Sequence, residues 1–186
     1  MIYFTSDLHI NHDRGFIYEP RGFKSVGEMN EAIVARWNSI VEPDDTVYLL
    51  GDVMLGGPNS ENGLNYLKLL KGHIHIIKGN HCTDNRCAHY LECENVVEVV
   101  DAAYLHFNGY HFYLTHYPCF SGNLHHDSLK KTTCNLFGHT HSKEKFYQDI
   151  PFMYNVAVDA HDCYPVSIIE IISDMESKVE ECKSYL

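Results

Sequence analysis

The sequence predicts a single α/β domain, residues 1–186, built on mixed sheets, and three observations carry that prediction. Short runs rich in Val, Ile and aromatic residues recur over 2–4, 47–50, 74–77, 96–100, 104–107, 111–114, 135–137, 154–158 and 166–172, with the length and composition of strands. Helix and strand patterns alternate through the first half, whereas strands dominate the second, which favours mixed sheets over a uniformly wound parallel one. The 186 residues, 45% apolar and 21% charged, suffice for one hydrophobic core and leave no room for a second independent domain.

The elements follow in chain order. After the first strand, Ser25-Val26-Gly27-Glu28 matches a capping box, in which the serine hydroxyl and the glutamate carboxylate satisfy orphan N–H groups at a helix start. Met29, Ile33, Trp37 and Ile40 follow at helical spacing, widened by Val34 and Val41, so an amphipathic helix runs to about Val41. The second strand leads to a helix carrying Leu64, Leu67 and Leu70, with Gly72 suited to its C′ position. Two further strands precede Asn108-Gly109, a dipeptide favoured in two-residue type I′ turns, so the runs near 104 and 111 form a hairpin. The last strand reading covers 166–172, and the charged tail over 174–185, with Met175, Val179 and Cys182, reads as a surface helix.

Charge narrows the function classes. The 25 acidic residues outnumber the 14 Lys and Arg, giving a net charge of -11, and an extended nucleic-acid groove needs the opposite balance. A small phosphorylated substrate stays compatible, because bound metal supplies positive charge that composition does not count. No apolar run approaches a membrane span. The seven cysteines form no C-x-x-C pair, and residues 2–4 already read as strand, so no signal peptide, reduced thiols and a cytoplasmic location are expected. Nothing in the sequence sets the oligomeric state.

The chemistry lies at the strand ends. The runs at 2–4, 47–50, 74–77, 111–114 and 135–137 lead respectively to Asp7 and His9, to Gly51-Asp52, to Gly79-Asn80-His81, to His116, and to Gly138-His139-Thr140-His141. Ligands of open α/β folds gather beyond the carboxyl ends of strands, so these groups can meet on one edge. Asp7/His9 and His139/His141 are spaced i, i+2, which in extended backbone points both side chains to one side. The glycines before Asp52, Asn80 and His139 allow close backbone approach or positive φ. Carboxylate, imidazole and amide donors without thiolate favour Mn, Fe, Co, Ni or Zn over Ca or Mg. Seven donors exceed one four-coordinate site, and two ions sharing a carboxylate account for them, the usual device for in-line attack on phosphorus.

In order, D-x-H, G-D, G-N-H, a His and G-H-x-H give a pattern that resembles the calcineurin-like metallophosphoesterases, over residues 7–141. Residues 5–9, Glu28-Met29-Asn30, Trp37-Asn38 and residues 155–159 resemble a small bacterial and phage branch of that family. The resemblance implies a four-layer sandwich, two mixed β-sheets flanked by helices. It also implies Asp7, His9 and His141 on one metal, Asn80, His116 and His139 on the other, and Asp52 bridging. A metal-bridging hydroxide would attack a phosphomono- or phosphodiester, and His81 would stabilise the transition state or protonate the leaving oxygen. Cys82 stands where the family usually carries an acid that orients this histidine, and Asp84 can substitute only if the loop folds back.

Other readings stand beside these. His12 is a candidate contact to substrate phosphate or a surface residue. Arg14 and Arg21 are candidate anion binders, with Arg21-Gly22-Phe23 also readable as a packing turn. His73, His75, His106 and His111 read as structural or solvent-facing, and His125 and His126 as exposed loop residues. The rival function is a binding or scaffold protein on the same fold, whose one support is Cys82. A third possibility is a mononuclear metalloenzyme of another reaction class.

Overall fold

The computed structural model describes residues 1–55, 61–120 and 128–183. Its backbone is two mixed sheets flanked by helices, as the strand runs and their resemblance imply. The first sheet is ordered β4-β3-β2-β1-β9, with β1 (Ile2–Thr5), β2 (Thr46–Leu49), β3 (His73–Ile77) and β4 (Val96–Val100) parallel and β9 (Val166–Ser167) antiparallel to β1. The second is ordered β5-β6-β7-β8: β5 (Ala103–Phe107) and β6 (Tyr110–Leu114) form the expected hairpin, while β7 (Thr133–Phe137) and β8 (Met153–Asn155) run parallel to β6. Asn108 and Gly109 take φ of 49° and 83°, as a type I′ turn requires.

Alternation along the strands sorts the core. Val47, Leu49, Ile74 and Ile76 point to one face of the first sheet, where α2 (Val26–Ile40), α3 (Glu61–Leu69) and α4 (Asp84–Tyr90) cover them with Met29, Ile33, Trp37, Leu67 and Tyr90. Each such fully buried side chain is worth about 1.5–3 kcal/mol, which is why the apolar stripe of α2 decides its helical state. Phe4, Leu50 and Ile77 point the other way and join Phe112, Leu114, Leu136 and Tyr154 of the second sheet.

The capping box holds with one change of partner. Ser25 Oγ accepts from Glu28 N at 3.2 Å, while the Glu28 carboxylate takes the N–H of Lys24 rather than that of Ser25. Three expectations are corrected. The run 166–172 is strand only over Val166–Ser167, because Ser167 caps α5 (Ile168–Lys183) by accepting from Glu170 N at 3.2 Å. Ile168, Ile171, Met175 and Val179 are then buried at helical spacing, and Ile169 points to solvent. The last residues of the tail reading, 184 and 185, lie outside the described residues. The run 154–158 leaves its strand at Asn155, and Val158–Ala160 form a 3-10 turn. Finally, α3 ends at Leu69, and Gly72, at φ 92°, turns the chain directly into β3. Two short helices carried no sequence signal: α1 (Gly15–Tyr18) and α4, where only Cys87 and Tyr90 are buried behind the Thr83 cap.

Candidate metal centre

Because β1, β2 and β3 are parallel, as are β6 and β7, their carboxyl ends carry the five strand-end loops to one edge of the paired sheets. All eight strand-end residues singled out by sequence meet there. Their backbone differs from the expectation of extended i, i+2 pairs. Asp7, His9, Asp52, His139 and His141 all sit at positive φ, between 49° and 69°, a conformation that costs a residue with a Cβ about 1 kcal/mol or more. Left-handed turns, not pleated strand, aim these side chains inward.

Two glycines make the convergence possible. Gly51 takes φ 92°, and a Cβ there would stand 2.5 Å from His116 Nδ1 and 2.8 Å from the Gly79 backbone. A Cβ on Gly138 would overlap the Ser6 hydroxyl and the Asp7 carboxylate. The second and fifth strand-end loops therefore press on the first and fourth without side chains between them.

The donors fall into two sets. In the first, His9 Nε2 lies 3.1 Å from His141 Nε2, and Asp7 Oδ1 lies 3.8 Å and 3.7 Å from these two nitrogens. In the second, Asn80 Oδ1 lies 2.9 Å from His116 Nε2 and 3.0 Å from His139 Nδ1. Asp52 Oδ2 stands between them, 3.8 Å from His9 Nε2 and 3.6 Å from His116 Nε2. Asp7-His9-His141 and Asp7-Asp52-His116 each bring three ligand atoms within 4.8 Å of one another.

These residues fit a cation by their hydrogen bonding. His116 Nδ1 donates to the Leu50 carbonyl at 2.8 Å, so the nitrogen facing Asn80 Oδ1 carries a lone pair. His141 Nδ1 likewise donates to Asp159 Oδ2 at 3.1 Å, leaving its Nε2 lone pair toward His9. In the second set acceptor therefore faces acceptor, and in the first the His141 lone pair and the Asp7 carboxylate point into one space. Asp7 Oδ2 accepts from the Ser6 hydroxyl and from His139 N, but Asp7 Oδ1 is buried with no hydrogen-bond partner. A divalent ion satisfies such an orphaned oxygen together with the imidazole lone pairs.

Electrostatics agree. Burial pushes the Asp7 carboxyl above its usual range, against the opposing pull of His116 and the Ser6 bond. Burial, followed by repulsion from positive charge on His141 or Arg21, depresses His9 to about 2, so its imidazole is a neutral donor. Burial lowers His139 and His12 as well. Burial works to raise Asp159, but hydrogen bonds and charge from His141 and Arg21 hold it below the carboxylate range. The Asp159 bond raises His141.

His81 donates its backbone N–H to Asp52 Oδ1 at 2.9 Å, and its Nε2 lies 3.9 Å from Asp52 Oδ2. Its ring is edge-on to that of His9, with centroids 5.6 Å apart. Asp84 does not replace the missing acid: it opens α4 behind the Thr83 cap, and no described hydrogen bond joins it to His81. His12 is buried rather than on the surface, its Nδ1 3.3 Å from His9 Nδ1 and its ring against exposed Phe16. Arg21 is no anion binder, since its buried guanidinium is engaged by Asp159. Arg14 is exposed at the start of α1. His75 pairs with Glu98 in the first sheet, and His106 and His111 face each other across the hairpin. His125 and His126 lie outside the described residues. The seven cysteines are unpaired.

Sequence reasoning missed two supports. Asp159 reaches His141 across 18 positions, and the one available signal was an Asp at the end of the 155–159 segment. Asn135, buried inside β7, accepts from Cys119 N and donates to Thr115 Oγ1, fixing the loop that follows His116. Beside the second donor set opens a groove of about 680 Å³ lined by Lys78, Asp84, Asp101, Tyr113 and Tyr117. Tyr117 is half exposed, with its ring centroid 4.5 Å from that of His139.

The model for the calcineurin-like phosphoesterase superfamily domain matches residues 1–156. An uncharacterized protein of Methanocaldococcus jannaschii is 33% identical over 181 residues, covering 94% of this chain and 91% of that one. The gene 66 protein of Mycobacterium phage D29 is 27% identical over 199 residues, covering 94% and 97%. A solved protein of unknown function from Aquifex aeolicus superposes with a TM-score of 0.70 at 24% identity, covering 93% of this chain and 98% of that one, and shares the fold.

Proposed function

The chain belongs to the calcineurin-like phosphoesterase superfamily, and we propose that it is a binuclear metal-dependent phosphoesterase acting on a small phosphomono- or phosphodiester. The observation that carries the binuclear reading is Asp52 Oδ2, which stands 3.8 Å from a ligand nitrogen of one donor set and 3.6 Å from one of the other. Asp7, His9 and His141 would hold one ion and Asn80, His116 and His139 the second, with Asp52 available to both. Mn, Fe, Ni or Zn suits this mixture of carboxylate, imidazole and amide donors. Two such ions would supply a water-derived nucleophile at neutral pH and charge to balance the phosphoryl oxygens.

The remaining work falls to side chains. His81, beside Asp52 and at the mouth of the site, donates to the departing oxygen. The His81 backbone N–H bonds to Asp52 Oδ1, which ties this histidine's main chain to the carboxylate between the two sets. His12, with Nδ1 3.3 Å from His9 Nδ1 beside the first set, would contact a phosphoryl oxygen. The groove beside the second set receives the leaving group, with Tyr117 as one wall. The acidic balance supports a small substrate over a nucleic-acid track. No helix among the described residues is long and apolar enough to cross a membrane, and the unpaired thiols support a reducing, cytoplasmic setting.

The test is turnover of aryl phosphate mono- and diesters by the metal-depleted chain after addition of Mn, Ni or Zn, with Asp52→Asn in parallel. Metal-restored turnover that Asp52→Asn lowers at least a hundredfold is expected. Failure of every metal across the panel overturns the reading in favour of a scaffold role, and uptake of one ion that stays single under supplementation overturns the binuclear centre.

A further inference from the structure

We propose that Asp159, clamped by Arg21, is a positioning residue that fixes the tautomer and direction of His141 and so sets affinity for one ion selectively. The inference rests on the metal reading above. His141 needs such help more than its companions do, because Asp7 and His9 are buried whereas His141 is 36% exposed and sits at φ 50°. Its ring stacks on that of His9, with centroids 4.9 Å apart, a contact that does not choose between its two tautomers. Asp159 Oδ2 accepts from His141 Nδ1 at 3.1 Å, which puts the ring proton on Nδ1 and turns the Nε2 lone pair toward His9 and Asp7.

Asp159 is itself held. Arg21 Nε donates to its Oδ1 at 2.9 Å and Arg21 Nη2 to its Oδ2 at 3.0 Å, a bidentate pair with both side chains buried. The rest of the guanidinium is equally committed. Nη2 donates to the Asp7 carbonyl at 2.9 Å, and Nη1 to the Leu8 carbonyl at 3.1 Å and to Met29 Sδ at 3.4 Å. All five N–H groups thus have partners, so Arg21 has no donor to offer a substrate. The same cation pins the left-handed turn that presents Asp7 and the carboxylate that presents His141, joining loops 138 positions apart in sequence. The second donor set has no such link: His116 is held by the Leu50 carbonyl, and neither His139 nor Asn80 bonds to Asp159.

The role therefore differs from general stabilisation in being one-sided. Zn or Mn titration of the metal-depleted chain, with bound ions counted by elemental analysis, is compared between wild type and Asp159→Asn. Loss of the orienting carboxylate weakens one of two ions ten- to a hundredfold and leaves the other at wild-type affinity. Asp159→Glu, which keeps the charge, recovers part of that loss. Two ions retained at wild-type affinity, or both weakened alike, overturn the inference and leave the function standing. A wild type that takes up no ion overturns both. Nitrogen NMR of the metal-free wild type at pH 8 needs no variant: His141 protonated on Nδ1 is expected, and protonation on Nε2 refutes the positioning role.

Discussion

Asp7→Asn separates what the fold needs from what the chemistry needs. In the metal-free chain, Asp7 is fully buried, one carboxylate oxygen is satisfied by Ser6 and His139, and the other has no partner. An asparagine of the same shape keeps the satisfied oxygen and places a neutral NH₂ where the unpaired, charged oxygen stood, 3.8 Å and 3.7 Å from the His9 and His141 Nε2 atoms. Removing the unpaired negative charge from a fully buried position is worth about 1–3 kcal/mol. At this chain length each kcal/mol moves the melting temperature by about 2–4 °C, so Asp7→Asn should melt about 2–12 °C above wild type in chelator. Metal reverses the order. An ion present at a hundred times its Kd adds about 2.7 kcal/mol, or roughly 5–11 °C, to a wild type that binds it. Asp7→Asn should lose that increment. Thermal melts of both proteins, with chelator and with Mn or Zn, decide the matter. A variant less stable than wild type in chelator that still gains the full metal increment would refute the argument, because Asp7 would then be a structural acid and no ligand.

Three further outcomes are expected. His81→Ala should lower kcat at least tenfold on aryl esters with metal content unchanged by elemental analysis, and an unchanged kcat removes His81 from the mechanism. Burial holds His161 below its ordinary range, with Nε2 2.8 Å from the Asn155 carbonyl. The unfolded chain therefore binds this proton first as pH falls through about 6.5, and native stability drops with acid. Melting temperatures of His161→Gln in chelator should fall less steeply than wild type between pH 6.5 and 5; parallel slopes would exclude the effect. Ser167→Ala removes the α5 cap and should cost about 1 kcal/mol, read as a melting temperature about 2–4 °C lower, and no change would assign the helix start to its apolar stripe alone.

What sequence could reveal depended on distance along the chain. A strand run followed within three residues by Gly-Asp or Gly-Asn-His is a local signal, so the strand-end groups and the edge they occupy were legible from one dimension. The hairpin was legible for the same reason, since Asn108-Gly109 demands its own turn. The helix start at Ser167 was hidden because Val166, Ile168 and Ile169 look like strand until Ser167 and Glu170 are read as a cap. Arg21 and Asp159 were beyond reach, because their pairing spans 138 positions and neither neighbourhood hints at the other. The same holds for Asp7 Oδ1, whose isolation exists only once several loops have closed around it.

The left-handed turns at Asp7, His9, Asp52, His139 and His141 carry a consequence for any lineage or laboratory selection acting on this chain. Glycine adopts that conformation freely and asparagine more readily than histidine does, so at these positions a search for heat resistance alone rewards exchanging the donor for one of them. These five positions would be the first to change under a selection for stability alone. Variants stabilised at these five positions should therefore be screened for metal uptake in the same round.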